Sequence, residues 1–219
     1  ISSFAYDVEV DGIYYNLVKK LAMVTSGDKK YTGDVVIPAS ISIDGVEYSV
    51  NRIASSAFYN CRNLTSVTIT ESVVIIEKNA FYDCIGLTSV TIPNSVTEIG
   101  YNAFNNCQNL TSVTIPNSVT EIGYNAFRYC LRLTSVSIPN SITMINSYTF
   151  AFCESLTSVT IPNSVITIGN NAFNRCTNLS SVTIPNSVKN VDYSAFCDCK
   201  KLTSISIPNS ITSIGTGAF

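Results

Sequence analysis

The chain of 219 residues contains no histidine and no tryptophan, and only 13% of its residues are charged. Histidine is the commonest general base and metal ligand in proteins, so its absence removes the usual means of acid–base catalysis. No stretch reaches the eighteen consecutive apolar residues that a membrane-spanning helix needs. The net charge of −2 argues against a nucleic acid or an anionic membrane as the partner.

A 23-residue unit repeats from Phe58 onward without gap or insertion. The string LTSVTIPNSVTEIGYNAF occurs at residues 87–104 and again at 110–127. Phenylalanine marks each unit, at residues 58, 81, 104, 127, 150, 173, 196 and 219. Cysteine follows three positions later, at residues 61, 84, 107, 130, 153, 176 and 199. Such regular spacing predicts a solenoid, in which each coil buries its apolar face against its neighbours.

The hydrophobic pattern changes within each unit. Apolar and polar residues alternate over residues 89–92, which predicts a half-buried strand that ends at Pro93. The spacing of Ala103, Phe104 and Cys107 predicts one or two helical turns on the return path. Strands of successive coils should then stack in parallel about 4.8 Å apart.

The repeat resembles the BspA-like (Treponema pallidum-type) leucine-rich repeats over residues 58–219. The resemblance depends on the string LTSVTIPNSVTEIGYNAFNNC and its copies. The resemblance implies a right-handed α/β solenoid with a parallel sheet on the concave face and short strands or helical turns on the convex face. It also points to a surface protein of a Bacteroides-like bacterium. Most leucine-rich repeats carry asparagine after the strand, whereas this chain has serine at positions such as Ser95 and Ser118. We expect these short side chains to satisfy backbone groups of the turns.

The N-terminal segment, 1–57, departs from the repeat. Asp11-Gly12 and Asp44-Gly45 each lie between alternating apolar stretches, and both predict two-residue β-hairpins. We therefore divide the chain into a hairpin-rich cap with an irregular first repeat, residues 1–57, and a solenoid of seven periods, residues 58–219, with no C-terminal cap.

The residue types that carry chemistry do not form a catalytic or metal-binding pattern. Seven of the eight cysteines share one repeat position, which predicts a buried column of free thiols, while Cys197 falls on an outward position. The 23-residue spacing of that column offers none of the close cysteine pairs that zinc sites use. Acidic residues are scattered and serines have no histidine partner. We expect no catalytic residue, no metal site and no cofactor, so the chain is not predicted to be an enzyme.

Two surfaces remain as candidates for binding. On the concave face, outward hydroxyl residues recur with little variation, which suits a repetitive ligand. The candidates there are Ser89, Thr91, Ser112, Thr114, Ser135, Ser137, Ser158 and Thr160. The alternative is that serine and threonine serve there only as ordinary strand-surface residues.

The second surface lies near the predicted helical turns, where the coils differ from one another. Tyr129 and Phe152 occupy a position that is polar in other coils, so two exposed aromatic rings are expected one coil apart. With the neighbouring Arg128, Leu131 and Arg132 they have the composition of a partner-binding site. The alternative is that the two rings only pack on each other.

The resemblance implies a non-catalytic cell-surface or secreted protein that adheres to protein ligands, with host extracellular matrix and other cells among them. The alternative is a structural spacer that presents another domain of a longer surface protein. A leader and any anchor are expected outside these residues.

Overall fold

The computed structural model describes residues 6–219, whose regular elements are strands; no residue in that range is helical. Six strands form the N-terminal segment: β1 (Val8–Val10), β2 (Ile13–Val18), β3 (Leu21–Thr25), β4 (Gly33–Ile37), β5 (Ser40–Ile43) and β6 (Val46–Ile53). The two predicted hairpins are present, because β1 pairs antiparallel with β2 and β5 pairs antiparallel with β6. All four residues of the two Asp-Gly turns have positive φ, as a type I′ turn requires.

The repeats contribute two series of short parallel strands, with one strand of each series per coil except the last, which has a strand of the second series only. The first series is β7 (Leu64–Ile69), β9 (Ser89–Thr91), β11 (Ser112–Thr114), β13 (Ser135–Ser137), β15 (Ser158–Thr160) and β17 (Ser181–Thr183). The second series is β8 (Ile75–Ile76), β10 (Glu98–Ile99), β12 (Glu121–Ile122), β14 (Met144–Ile145), β16 (Thr167–Ile168), β18 (Asn190–Val191) and β19 (Ser213–Ile214).

Paired strands of the solenoid align equivalent repeat positions. Val67 lies opposite Val90 in the first series, and Ile99 lies opposite Ile122 in the second. Both series continue into the N-terminal segment, because β4 pairs with β7 and β6 pairs with β8. The predicted solenoid with 23-residue coils and parallel strand pairing is thus confirmed. We keep the name concave face for the face that carries the first series.

The helical turns predicted around Phe104 are consecutive β-turns instead. The N–H groups of Asn105 and Cys107 donate to carbonyls three residues earlier, at 3.1 and 3.3 Å. The N–H of Phe104 donates across to Ala126 in the next coil at 2.8 Å. Left-handed residues at Asn102 and Asn106 cause this alternation, with φ of 54° and 64°. A helix cannot continue through them, and every second N–H points to the next coil.

A column of stacked phenylalanine rings fills the centre of the solenoid. Successive rings from Phe58 to Phe219 lie with centroids 4.7 to 5.6 Å apart and nearly parallel planes. Coils approach so closely beside this column that a Cβ on Gly123 would lie 2.4 Å from the backbone nitrogen of Tyr101. Glycine at 123 therefore permits a close contact between these two coils, whereas the equivalent positions of other coils carry Asn146 and Asp192.

The predicted column of free thiols is also confirmed. All eight cysteines are free, and all except the partly exposed Cys197 are buried. From Cys84 to Cys199, each column thiol donates to the carbonyl of the phenylalanine 26 residues earlier, at 3.0 to 3.4 Å. Burial raises the pKa of these thiols, to about 12 for Cys199.

The serine that replaces asparagine after each strand acts as expected in several coils. The hydroxyls of Ser95 and Ser118 donate to Val73 and Val96 of the preceding coil, at 2.6 and 2.7 Å. In two later coils, the buried hydroxyl oxygens of Ser164 and Ser187 have no hydrogen-bond partner in the described residues. Serine is thus used at equivalent positions both with and without a bonded carbonyl.

Candidate functional site

One position of the turn segment is left-handed in every coil of the solenoid, two residues after the buried phenylalanine. Its φ lies between 58° and 64° at Asn60, Asp83, Asn106, Tyr129, Phe152, Arg175 and Asp198. Asparagine and aspartate tolerate this conformation well, whereas bulky side chains rarely adopt it. Tyr129 and Phe152 therefore hold a backbone conformation that costs about 1–2 kcal/mol each.

The start of this column is a closed polar network. Arg62 contacts the carboxylate of Asp83 at 2.6 Å and also donates to Asn60 at 2.7 Å. Asn106 donates to the other carboxylate oxygen of Asp83, and Gln108 donates to Asn106 at 3.0 Å. Every charge in this part of the column is thus paired within the chain.

The middle of the column is different, and we call it the arginine–aromatic cluster: Arg128, Tyr129, Tyr148 and Phe152. The rings of Tyr129 and Phe152 stack with centroids 4.4 Å apart at 29°. The guanidinium carbon of Arg128 lies 4.8, 5.0 and 5.4 Å from the ring centroids of Tyr129, Tyr148 and Phe152. Such distances are typical of cation–π contacts.

The cluster differs from the sequence prediction in two respects. Tyr129 and Phe152 are half-buried instead of exposed, because each covers a face of the other's ring. Tyr148 was not predicted to take part. The sequence does contain a signal for it, since Tyr148 is aromatic at a position where most coils have asparagine or serine. The structure shows that this position is left-handed, with φ of 59° at Tyr148. Leu131 is half-buried and Arg132 is exposed, and they follow Tyr129 by two and three residues in the chain.

The charge of Arg128 has no counterpart within the described residues. Three of the other four arginines form ion pairs, Arg52 with Glu77, Arg62 with Asp83 and Arg175 with Asp198, whereas Arg132 is exposed to solvent. No such pair involves Arg128 in residues 6–219. Its terminal nitrogen has only a long contact of 3.4 Å to the Tyr129 hydroxyl, and its buried Nε has no hydrogen-bond partner there.

The concave candidates point outward as the alternation predicts. The two hydroxyl residues are exposed on both sides of the inward valine in strands β9, β11, β13 and β15. Beside them lies a groove of about 720 Å³, whose walls include Thr160, Thr183, Asn163 and Asn186. Among the described residues no charged side chain lines this groove, whose walls combine neutral hydroxyls and amides with apolar side chains such as Ile161 and Pro162.

The hydroxyls of a neighbouring threonine column, in contrast to the concave ones, are hydrogen-bonded within the chain. Thr88, Thr111 and Thr134 each donate to the carbonyl of the equivalent threonine one coil earlier. The concave hydroxyls from Ser89 to Thr160 make no hydrogen bond to another residue of the 6–219 range. They are therefore free to bind a ligand or water.

Two further features of the described residues bear on the kind of site. Residues 6–219 contain no group of three or more histidine, cysteine, aspartate or glutamate side chains placed to hold a metal ion. Within the same range, no helix has the length and apolarity needed to cross a membrane.

Comparison with known proteins identifies the type of the repeat. A sequence profile of the BspA type leucine-rich repeat region (6 copies) matches residues 51–179 and 120–219. No curated protein sequence matches the chain.

Solved structures agree with the profile. A leucine-rich cell surface protein of Faecalibacterium prausnitzii is 30% identical with a TM-score of 0.65, over 99% of this chain and 74% of that one. A Treponema pallidum leucine-rich repeat protein is also 30% identical with a TM-score of 0.65, over 95% of this chain and 86% of that one. The pneumococcal vaccine antigen PcpA shares only the fold, at 18% identity and a TM-score of 0.67 over 95% and 77% of the two chains. The profile covers well over half of the sequence, so the chain belongs to the BspA-type leucine-rich repeat family.

Proposed function

We propose that the chain is a non-catalytic module at the cell surface or outside the cell, which binds a protein partner through the arginine–aromatic cluster. Host extracellular matrix proteins and the surfaces of other cells are the proposed targets. The cell-surface description of the Faecalibacterium prausnitzii relative supports the location, and the repeat family supports protein binding.

One observation carries the choice of site. The cluster combines two unfavourable features: bulky left-handed residues at Tyr129 and Phe152, and a half-buried arginine, Arg128, that has no ion-pair partner within residues 6–219. Strain and unsatisfied polar groups persist mainly where function needs them. Other coils have asparagine at this repeat position, as Asn60 and Asn106 show, so the fold itself does not need an aromatic side chain there.

The test replaces the two aromatic residues with the side chain that other coils use. In the double variant Tyr129→Asn/Phe152→Asn the backbone conformation is compatible with the new residues. We expect at least a tenfold loss of binding to immobilised matrix proteins (fibronectin, laminin and collagen) or to whole cells. Circular dichroism and thermal unfolding should show an intact solenoid.

A matched control pair lies on a neighbouring column. Tyr59 and Tyr82 also stack across coils, with centroids 5.2 Å apart, and the cation over them is the Lys30 ammonium, 6.0 Å from the Tyr59 ring centroid, instead of an arginine. Asn105 and Asn174 occupy the equivalent position elsewhere, so Tyr59→Asn/Tyr82→Asn should fold and bind as the parent does. Equal binding by the parent and the cluster variant, or equal loss in both variants, would reject the cluster as the site.

The concave face is the second candidate site, because its hydroxyls from Ser89 to Thr160 are exposed and make no hydrogen bond within residues 6–219. Placing arginine at Ser135 and Ser158 would obstruct that face without entering the core. Loss of binding in this variant, with normal binding by the cluster variant, would move the site to the concave face.

A further inference from the structure

We infer that the arginine–aromatic cluster recognises a carboxylate side chain, from aspartate or glutamate, on a short segment of its protein partner. This inference rests on the proposed function and names the chemistry of the partner. The observation behind it is that Arg128 is half-buried and stacked on aromatic rings, yet has no carboxylate within ion-pair distance in residues 6–219.

The surrounding rings leave only part of the guanidinium free for a ligand. Contacts with Tyr129, Tyr148 and Phe152 hold the guanidinium carbon within 5.4 Å of three ring centroids. The N–H groups of a guanidinium lie in its plane, and that edge matches the two oxygens of a carboxylate. The long 3.4 Å contact to the Tyr129 hydroxyl leaves most of this donor capacity unused.

The environment strengthens such a contact. Aromatic rings exclude water from one side of the guanidinium, so a carboxylate that pairs with it is screened less than at an open surface. Arg132, exposed beside the cluster, adds a second positive charge. The half-buried Leu131 and Phe152 offer apolar contact to a neighbouring side chain of the same segment.

Charges around the cluster favour a short acidic segment over a long polyanion. Glu154 is exposed and occupies the repeat position of Leu131 one coil further on. Arg175 is already paired with Asp198. A sulfated glycan lying along the coils would therefore meet negative charge on that side of the cluster, whereas one or two carboxylates would not.

The test uses the whole chain and follows the side-chain Nε–H resonance of Arg128 by nuclear magnetic resonance. Because Nε is buried, its proton is protected from exchange with water, and Arg128→Lys assigns the signal. The probes are the peptide Gly-Glu-Phe-Glu-Gly, the neutral peptide Gly-Gln-Phe-Gln-Gly and a heparin oligosaccharide. We expect a saturable shift with the glutamate peptide at a concentration at least tenfold below that for the glutamine peptide.

Variants then distinguish recognition by the paired donors of the guanidinium from attraction by positive charge alone. Arg128→Lys keeps the charge and loses the paired donors, so it should lose peptide binding at least fivefold, nearly as much as Arg128→Gln. Arg132→Gln should lose only about twofold. Full binding by the lysine variant, equal binding of the two peptides, or saturation by heparin alone would overturn the inference.

Failure of this inference would be distinguishable from failure of the proposed function. If the double variant Tyr129→Asn/Phe152→Asn loses its partner but no acidic peptide shifts Arg128, the cluster still binds a protein and the carboxylate assignment is wrong. If the double variant retains its partner, the site itself is wrong.

Discussion

Raising the pH above 9 should destabilise this protein steeply, because the core contains a column of protonated thiols. Each thiol from Cys84 to Cys199 is buried and donates its proton to a phenylalanine carbonyl of the preceding coil. Burial raises the pKa of these groups, since a thiolate in the apolar core would be poorly solvated. In the unfolded chain the same thiols ionise with a pKa of about 8.5.

The direction and the size of this pH effect on the free energy of unfolding follow from proton linkage. The folded pKa lies above the unfolded one, so the stabilisation is fully present below pH 8.5 and is lost as the pH rises towards the folded values. One pH unit above the unfolded pKa, each thiol lowers the free energy of unfolding by about 1.4 kcal/mol. For the six thiols from Cys84 to Cys199 this amounts to about 8 kcal/mol at pH 9.5, comparable with the whole stability of many domains.

Calorimetry in two buffers with different ionisation enthalpies measures the protons released on unfolding directly. With a phosphine reductant present, we expect close to no thiol protons at pH 7 and about six at pH 9.5. The variant Cys107→Ala/Cys130→Ala should release about two fewer, whatever its stability at neutral pH.

A thiol reagent provides an independent check on burial. The native protein should react at the partly exposed Cys197, and the denatured protein at all eight cysteines. Release of fewer than about two protons at pH 9.5, or rapid reaction of the column cysteines in the native protein, would refute the reasoning.

Three further predictions concern contacts between coils. Gly123→Ala should lower the free energy of unfolding by about 1–3 kcal/mol, measured with guanidinium, because its Cβ would overlap the backbone of the preceding coil; an unchanged midpoint would show that the coils can separate. Ser118→Ala should cost about 1 kcal/mol, whereas Ser187→Ala at the equivalent position should be neutral or stabilising, since only Ser118 has a bonded carbonyl; equal effects would contradict this. Burial opposes ionisation of Glu77, but hydrogen bonds from Arg52 and Ser55 outweigh it and lower its pKa. Glu77→Gln should therefore lose about 1–3 kcal/mol at pH 7. Its difference from the parent should shrink as the pH falls below the ordinary glutamate pKa and through the lowered one, and a difference that stays constant in strong acid would contradict the assignment.

Much of the fold could be predicted from the sequence, because a solenoid repeats one set of contacts. The 23-residue period places equivalent residues opposite each other, as Val67 and Val90 show. The two hairpins could also be predicted from the sequence, since Asp-Gly between alternating stretches favours a two-residue hairpin wherever it occurs. The buried thiols followed from one repeat position shared with the apolar core.

The helical turns around Phe104 were wrong for a physical reason. The spacing of apolar residues there fits one helical turn, but the backbone alternates between right-handed and left-handed residues. That alternation directs the N–H of Phe104 to the next coil, a hydrogen bond that a single coil cannot make. The pattern of one unit thus contains no information about it.

The candidate site, too, was predicted only in part from the sequence. The sequence alone identified Arg128, Tyr129 and Phe152 as the residues in which the coils differ, because a strict repeat makes every departure visible. Only the tertiary structure decided that the rings stack, that Tyr148 joins them and that no carboxylate of residues 6–219 lies within ion-pair distance of Arg128. The reason is that periodicity determines which backbone positions are neighbours, whereas pairing between different columns depends on the rise between coils and the direction of each side chain.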